Sequence, residues 1–175
     1  MKYRLTDETK KVGCKTLHRI ECIKAFSNVK VGEKGGWIEN EYNLSQKGYA
    51  WVRDDAKVYG NAWVYGNAQV LGNAEVYGNA EVYSNARVLD NAKVYDDAKV
   101  FGHAWIYENA KVYGNAHVFD NVWVHGNAHV YDNANVYDNV HIFDDAEVCD
   151  NAVVKGYAHI RGNAKISQTS DYIVF

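Results

Sequence analysis

The chain has 175 residues, of which 47% are hydrophobic, and this is enough for one domain with its own core. Proline is absent, whereas tyrosine and glycine each occur 14 times, a composition that indicates a periodic chain. The formal net charge is −3, and no apolar run reaches the ~18 residues that a membrane-spanning helix needs. The cysteines Cys14, Cys22 and Cys149 form no CxxC pair, so we expect reduced thiols and a cytoplasmic protein.

The first 45 residues precede any repeat and are predicted to be rich in β-structure. Residues 17–23 alternate between apolar and polar side chains as a strand does, and residues 29–31 suggest a second strand. The segment EKGG at residues 33–36 is predicted to turn the chain into Trp37 and Ile38.

Residues 1–50 carry 10 Lys and Arg against 6 Asp and Glu, whereas residues 51–175 carry 9 against 16. The acidic majority argues against nucleic acid as a partner.

A six-residue repeat begins at Val52 and continues to Ile166. Val or Ile, which we number position one, occupies twenty successive sites, as in VYGNAW, VYGNAQ and VLGNAE. Position five is alanine in every hexad except at Val122, Val140 and Ser170. Position three is mostly Gly or Asp, and position four is mostly Asn or Asp. Residues 46–51 fit the same register more weakly, and a period this short predicts a solenoid.

Each hexad predicts one short strand and one corner. In Ala-x-Val the two apolar side chains lie on one side of the strand, and Gly-Asn or Asp-Asn tolerates the backbone of a tight turn. Strands joined by hairpins would not bury all these alanines and valines alike, so the chain must coil. Three hexads per turn give a triangular parallel coil, and twenty hexads give about six to seven coils of 18 residues.

The sequence therefore predicts an all-β fold, a parallel β-solenoid with a small β-rich cap. We expect residues 1–45 to form the N-terminal cap and residues 46–170 to form the repeat domain. Residues 171–175, DYIVF, are expected to form a terminal strand. Truncation of a longer natural chain after this strand is left open as an alternative. Open strand edges at the ends of a solenoid invite association, which is why a cap is expected.

Two resemblances add to this prediction. The hexads, aliphatic-x-Gly/Asp-Asn-Ala-x, resemble those of the hexapeptide-repeat left-handed β-helix proteins, and this resemblance implies a left-handed coil. The opening KYRL, the segment VKVGEKGGWIE and the following NLSQ resemble YdcK-like β-solenoid proteins. The second resemblance implies the fold, the cap, and a bacterial or prophage origin. A shared fold does not by itself imply a shared activity.

Side chains 18 residues apart are predicted to be neighbours on one outer face. Position two then gives one column with Tyr59, Tyr77, Tyr95, Tyr113 and Tyr131, and a second with Tyr65, Tyr83, Phe101, Phe119 and Tyr137. The third column, with Leu71 and Leu89, is widened by residues at position six. Wide apolar patches rich in Trp and Tyr mark interfaces, so we expect the face for a partner or for self-association here. It comprises Trp105, Tyr107, Trp123, His125, His141, Phe143 and His159.

Histidines raise the question of catalysis and metal binding. Hexapeptide-type acyltransferases, to which the hexads are similar, act as trimers and use a histidine as general base. The unbroken register predicts no loop that could shape a cleft, so we expect no catalytic residue and no cofactor. A zinc site formed by His125, His141 and His159 would lie on an outer face rather than in a buried pocket. The acids at the corners, such as Asp132 and Asp150, are more simply explained as residues that solvate turns. We therefore expect no metal site.

The sequence favours a non-enzymatic binding scaffold. In this hypothesis a prophage-type protein engages a host or phage protein through its aromatic outer face, and neither a membrane nor nucleic acid is a partner. One alternative is an acyltransferase that acts as a homotrimer. A second alternative is a structural rod that assembles end to end.

Overall fold

A computed structural model describes residues 1–168 of the chain, and almost all of its regular structure is β. Three longer strands come first: β1 at Tyr3–Val12, β2 at Lys15–Cys22 and β3 at Lys34–Ile38. Strand β1 pairs antiparallel with β2, and β2 pairs antiparallel with β3. A short 3-10 helix at Glu41–Asn43 follows. The first part of the chain is thus a three-stranded antiparallel unit, as expected of a β-rich cap.

From Trp51 onward the described chain consists of two-residue strands that recur every six residues. In chain order, β4 to β23 are Trp51–Val52, Lys57–Val58, Trp63–Val64, Gln69–Val70, Glu75–Val76, Glu81–Val82, Arg87–Val88, Lys93–Val94, Lys99–Val100, Trp105–Ile106, Lys111–Val112, His117–Val118, Trp123–Val124, His129–Val130, Asn135–Val136, His141–Ile142, Glu147–Val148, Val153–Val154, His159–Ile160 and Lys165–Ile166. The predicted strand of each hexad is therefore present throughout this part of the chain. The terminal strand predicted at residues 171–175 lies outside the described residues.

These strands stack into three parallel sheets, which we call faces 1, 2 and 3. Face 1 contains β5, β8, β11, β14, β17, β20 and β23, and β3 joins it to the cap. Face 2 contains β6, β9, β12, β15, β18 and β21, and face 3 contains β4, β7, β10, β13, β16, β19 and β22. Partners lie 18 residues apart, as in Val94 opposite Val112. The 18-residue, three-sided coil is confirmed, and its left hand stays a prediction from the resemblance.

The core is the stack of position-one and position-five side chains inside the coil. Val112 and Ala110 are both fully buried, and so are Val122 and Val140, the two exceptions to the alanine rule that lie in the described residues. Each valine removed from water contributes about 1.5–3 kcal/mol before chain entropy is counted. Because every coil repeats the same pair of inward residues, the core continues from one coil to the next without interruption.

Position three of each hexad bends the chain at a corner with a left-handed backbone. Gly60 has a φ of 70°, and Asp96, at an equivalent corner, has a φ of 57°. Aspartate is tolerated here because its carboxylate also bonds to the next coil: Asp96 Oδ2 accepts from the Gly114 N–H at 3.3 Å. Position four adds a ladder of amides, as in Asn61 Nδ2 donating to Asn79 Oδ1 at 3.0 Å. Corners are thus tied along the axis by side chains as well as by strands.

The cap differs from the sequence prediction at two segments. Residues 29–31 form no strand, because the chain reverses at Ser27 and only Phe26 and Val29 form a β-bridge. The predicted turn at residues 33–36 is also wrong, because Gly35 and Gly36 lie inside β3 and are buried. A Cβ on Gly36 would lie 2.6 Å from the Ala56 carbonyl oxygen. These glycines allow two backbones to approach closely rather than letting the chain turn.

The first coil of the solenoid begins within the cap segment. Ile38 lies opposite Val58, and Leu44 forms a parallel bridge with Val64. The next inward residues are Ala50 and Val52, and residues 48–51 follow the predicted six-residue register: Gly48 has the corner φ of 69° and Trp51 lies opposite Gln69. Only Gln46, a polar residue at position one, departs from it. Gln46 instead bonds through its side chain to the cap, accepting from the Lys2 backbone N–H at 2.8 Å.

The cap also completes the hydrogen bonds of the solenoid's first edge. Backbone N–H groups donate to the following coil, as in Lys93 N to Ala110 O at 3.0 Å, so carbonyl oxygens face the N-terminal end. Three cap side chains donate to these oxygens: Lys2 Nζ to Ala50 O at 2.7 Å, Asn43 Nδ2 to Ala62 O at 2.8 Å and Tyr3 Oη to Leu44 O at 2.6 Å. Burial lowers the pKa of Lys2 to about 8. Buried carbonyls therefore keep partners where the sheet stacking ends.

Candidate partner-binding face

Stacked aromatic ladders cover faces 1 and 2, as predicted. On face 1, ring centroids of successive tyrosines lie 4.9–5.1 Å apart, from Tyr59 to Tyr131. On face 2 the spacing is 4.7–5.0 Å from Tyr65 to Tyr137. Desolvation raises the pKa of Tyr95 to about 12. These rings cover one another's faces, so they stabilise the coil and expose mainly their edges.

Position six is mostly charged on face 1, whereas on face 2 it includes the charged pair Glu81 and Lys99 and also Trp63, which is 44% exposed. Lys57 Nζ lies 3.1 Å from Glu75 Oε1 on face 1, and Lys99 Nζ lies 3.1 Å from Glu81 Oε1 on face 2. Some tyrosine hydroxyls join them, as Tyr65 Oη donates to Glu81 Oε2 at 3.0 Å. These ion pairs link residues 18 apart within one column, so the paired charges are already matched within the chain.

Face 3 brings together all seven residues predicted to form the partner or oligomer face. Position six supplies one stacked column, in which ring centroids are 5.9 Å apart for Trp105 and Trp123, 4.9 Å for Trp123 and His141, and 4.8 Å for His141 and His159. Position two supplies a second, in which His125 lies 4.7 Å from Tyr107 and 5.3 Å from Phe143. Trp123 keeps 40% of its surface exposed. The geometry thus places the seven on one continuous surface, while their role stays a prediction.

The charges of face 3 are unlike those of the other faces. In the described residues its outward columns contain arginines and histidines but no carboxylate. Acids reach the face from outside these columns: at a corner, Glu108 Oε2 lies 3.6 Å from His125 Nδ1, and in the cap, Glu33 Oε1 lies 3.2 Å from an Arg53 nitrogen. Arg53 and Arg87, which the sequence prediction did not single out, precede the aromatic residues in the same columns. Arg87 precedes Trp105 by 18 residues, so the spacing of the repeat could have placed it next to Trp105 on this face.

Burial lowers the pKa of His141, and the neighbouring His159 and His125 lower it further. The unfolded chain therefore binds a proton at this histidine before the folded protein does, and the free energy of unfolding decreases as the pH falls below about 6.5. We expect His141→Gln to reduce this loss, measured as the thermal midpoint between pH 7.5 and pH 5. His117→Gln, at the equivalent position on face 2, is the control. Equal pH dependence in wild type and His141→Gln would contradict the expectation.

Residues 1–168 contain no cluster of three or more His, Cys, Asp or Glu side chains arranged to hold a metal ion. The corner acids accept hydrogen bonds from backbone: Asp132 Oδ2 accepts from the Asp150 N–H at 3.3 Å, and Asp120 Oδ2 accepts from the Asp138 N–H at 3.4 Å. The rings of His141 and His159 contact each other with their planes tilted by 32°. In the same part of the chain, no helix has the length and apolar character to cross a membrane.

Comparison with known families agrees with the coil geometry. The model of the YdcK β-solenoid repeat matches residues 56–72 and 110–126. The two matches begin at Ala56 and Ala110, which occupy equivalent corners three coils apart. No curated protein matches the chain. The chain is therefore a β-solenoid protein that carries YdcK-type repeats.

Proposed function

We propose that this protein is a non-enzymatic scaffold that binds a protein partner through face 3. The observation that carries the proposal is the contrast between faces. Faces 1 and 2 pair Lys with Glu between coils, and face 2 also exposes Trp63. Face 3 instead places Trp105 and Trp123 beside arginine and histidine, with no carboxylate in its described outward columns. Large aromatic side chains next to arginine are the residues that contribute most to protein interfaces. If the chain has the prophage-type origin that the resemblance implies, the partner is a host or a phage protein.

The regularity of the described coil supports binding over catalysis. Strands recur without an inserted loop from Trp51 to Ile166, so between these residues no loop of the coil itself projects over face 3 to enclose a substrate. An acyltransferase needs such an enclosure to exclude water and to position its donor. The competing function is tested with CoA and acetyl-CoA in a thermal-shift titration. Saturable stabilisation that is lost on replacing His125, His141 and His159 would contradict the scaffold.

The scaffold itself is tested by affinity capture from a lysate of the native host. The bait is wild type, the double variant Trp105→Ala/Trp123→Ala, or the matched double variant Phe101→Ala/Phe119→Ala, whose rings also stack between adjacent coils, on face 2. We expect the face 3 variant to lose a protein that wild type and the face 2 variant retain. Equal capture by all three, or loss with the face 2 variant alone, would contradict the proposal. Molar mass by light scattering shows whether the retained protein is a second copy of this chain.

A further inference from the structure

A groove lies at the N-terminal end of face 3, where a loop of the cap overhangs the solenoid. It has a volume of about 580 Å³, and its walls include Asn28 from the cap and Arg53, Gln69, Leu71, Asn85 and Arg87 from the coils. Most polar groups here are engaged within the chain. Gln69 Nε2 donates to the Tyr49 carbonyl at 3.0 Å, and Asn85 bonds along the corner ladder to His103 at 3.3 Å. The two guanidinium groups are therefore the main candidates for an incoming ligand.

Arg87 is fixed in direction but has no partner for its charge. Its guanidinium carbon lies 4.7 Å from the centre of the Trp105 ring, an arrangement that orients the planar group. Its side chain is exposed, and no carboxylate in the described part of the chain lies within ion-pair distance of it. Lys57 and Lys99, at the same hexad position on the other faces, both have a glutamate partner. A fixed guanidinium with free N–H groups can bind a carboxylate through two parallel hydrogen bonds.

Arg53 adds positive charge to the same groove. One of its terminal nitrogens lies 3.3 Å from Asn28 Oδ1 and 3.2 Å from Glu33 Oε1, which ties the solenoid to the cap. Its Nε is buried and has no hydrogen-bond partner among the described residues. Glu33 offsets part of the Arg53 charge, so Arg87 is the group that we expect to contact the ligand directly.

The surface next to Arg87 favours a peptide over a small free anion. Leu71, Leu89 and Trp105 lie beside it in the two outward columns, and Trp123 follows one coil later. A ligand that places a carboxylate at Arg87 can thus extend apolar groups along face 3. Strands inside the coil already pair on both sides, so recognition must use side chains rather than the addition of a strand.

We propose that the groove binds an acidic side chain of the protein partner, with Arg87 holding the carboxylate while neighbouring apolar residues of that segment pack on Leu89, Trp105 and Trp123. This inference rests on the proposed function of face 3 and specifies the chemistry of its partner. It predicts that a binding segment contains Asp or Glu next to Leu or Phe. It also predicts that binding weakens with added salt, because the charges lie at an exposed surface.

The test uses the full chain on a synthetic array of ten-residue peptides built from Asp, Glu, Asn, Gln, Leu, Phe and Ser. We expect selection of peptides in which Asp or Glu adjoins Leu or Phe. The best peptide and its amide counterpart, Asp→Asn or Glu→Gln, are then compared by fluorescence anisotropy. The acidic peptide should bind at least ~10-fold more tightly to wild type, as expected for a charge-assisted pair. Arg87→Gln should abolish this preference, while Arg161→Gln, on face 3 but remote from the groove, should keep it.

The outcomes separate this inference from the proposed function. If no peptide binds, if acid and amide peptides bind alike, or if Arg87→Gln keeps the preference, the acidic-segment inference is wrong. The proposed function still stands in those cases if partner capture depends on Trp105 and Trp123. If capture depends on face 2 instead, the proposed function fails whatever the peptides do. Circular dichroism of Arg87→Gln verifies that an exposed substitution has left the fold intact.

Discussion

Val118→Asp is expected to unfold the protein, whereas His117→Asp is expected to leave it folded. Val118 is fully buried and lies between Val100 and Val136 in the inner stack of face 2. A carboxylate there has neither water nor a cation, so the cost exceeds about 4 kcal/mol, which is a large fraction of the stability of a single domain. His117 is the preceding residue but faces outward, where an aspartate would lie opposite Lys99.

Urea unfolding followed by circular dichroism measures this pair of substitutions. We expect little or no folded Val118→Asp protein in the absence of urea. For His117→Asp we expect a free energy of unfolding within about 1 kcal/mol of wild type, because the substitution is at the surface. Similar losses of unfolding free energy in both variants would show that the two residues of a strand do not point in opposite directions, one into the core and one to the surface.

Gly36→Val is expected to have the second-largest effect, because it separates the cap from the first coil. The Cβ of any larger residue would lie 2.6 Å from the Ala56 carbonyl oxygen and 2.6 Å from Val52 Cγ1. Strand β3 would have to move away, and the cap donors to the first edge would move with it. Overpacking of this kind typically costs about 1–3 kcal/mol, and a β-branched side chain against backbone lies at the upper end of that range or beyond.

Hydrogen exchange locates the damage in Gly36→Val. We expect faster exchange in β1 to β3 and in the first coil, with the central coils protected as in wild type. Gly13→Asn is the matched control: Gly13 has a φ of 56°, a Cβ added there would have no neighbouring atom within 4 Å, and asparagine tolerates this backbone. Loss of protection in Gly13→Asn equal to that in Gly36→Val would mean that the cap does not depend on this close contact.

The periodic part of the fold was predictable because every coil buries the same positions of the hexad. Val or Ile at every sixth site determines which side chains face inward, and counting by 18 places neighbours such as Tyr95 and Tyr113 in one column. Counting by 18 also places Lys57 next to Glu75, with which it forms an ion pair, although only the aromatic columns were predicted from the sequence. Arg87 was not predicted because it is not aromatic. Its contact with the Trp105 ring is what indicates that its guanidinium group is oriented.

The cap was less predictable because its contacts follow no period. Lys2 reaches the Ala50 carbonyl, and Tyr3 reaches that of Leu44, across more than 40 residues in each case. The Gly35-Gly36 pair is compatible with a turn or with close packing, and local sequence does not distinguish the two. Trp51 shows the same limit. It occupies an outward position of its hexad but is fully buried, because Phe26 of the cap packs against it with ring centroids 5.4 Å apart.

The 18-residue coil is tested most directly by cross-linking Lys99→Cys with His117→Cys in a Cys14→Ser background. Cys14 is exposed, whereas Cys22 and Cys149 are buried, so the new thiols are the accessible ones. Lys99 and His117 pair on adjacent strands of face 2, and a spacing of ~4.8 Å lies within the range that a disulfide spans. Mass spectrometry after mild oxidation should find an intramolecular disulfide. Lys99→Cys with Lys111→Cys, on different faces, should form none, and the reverse result would contradict the three-faced coil on which the binding face depends.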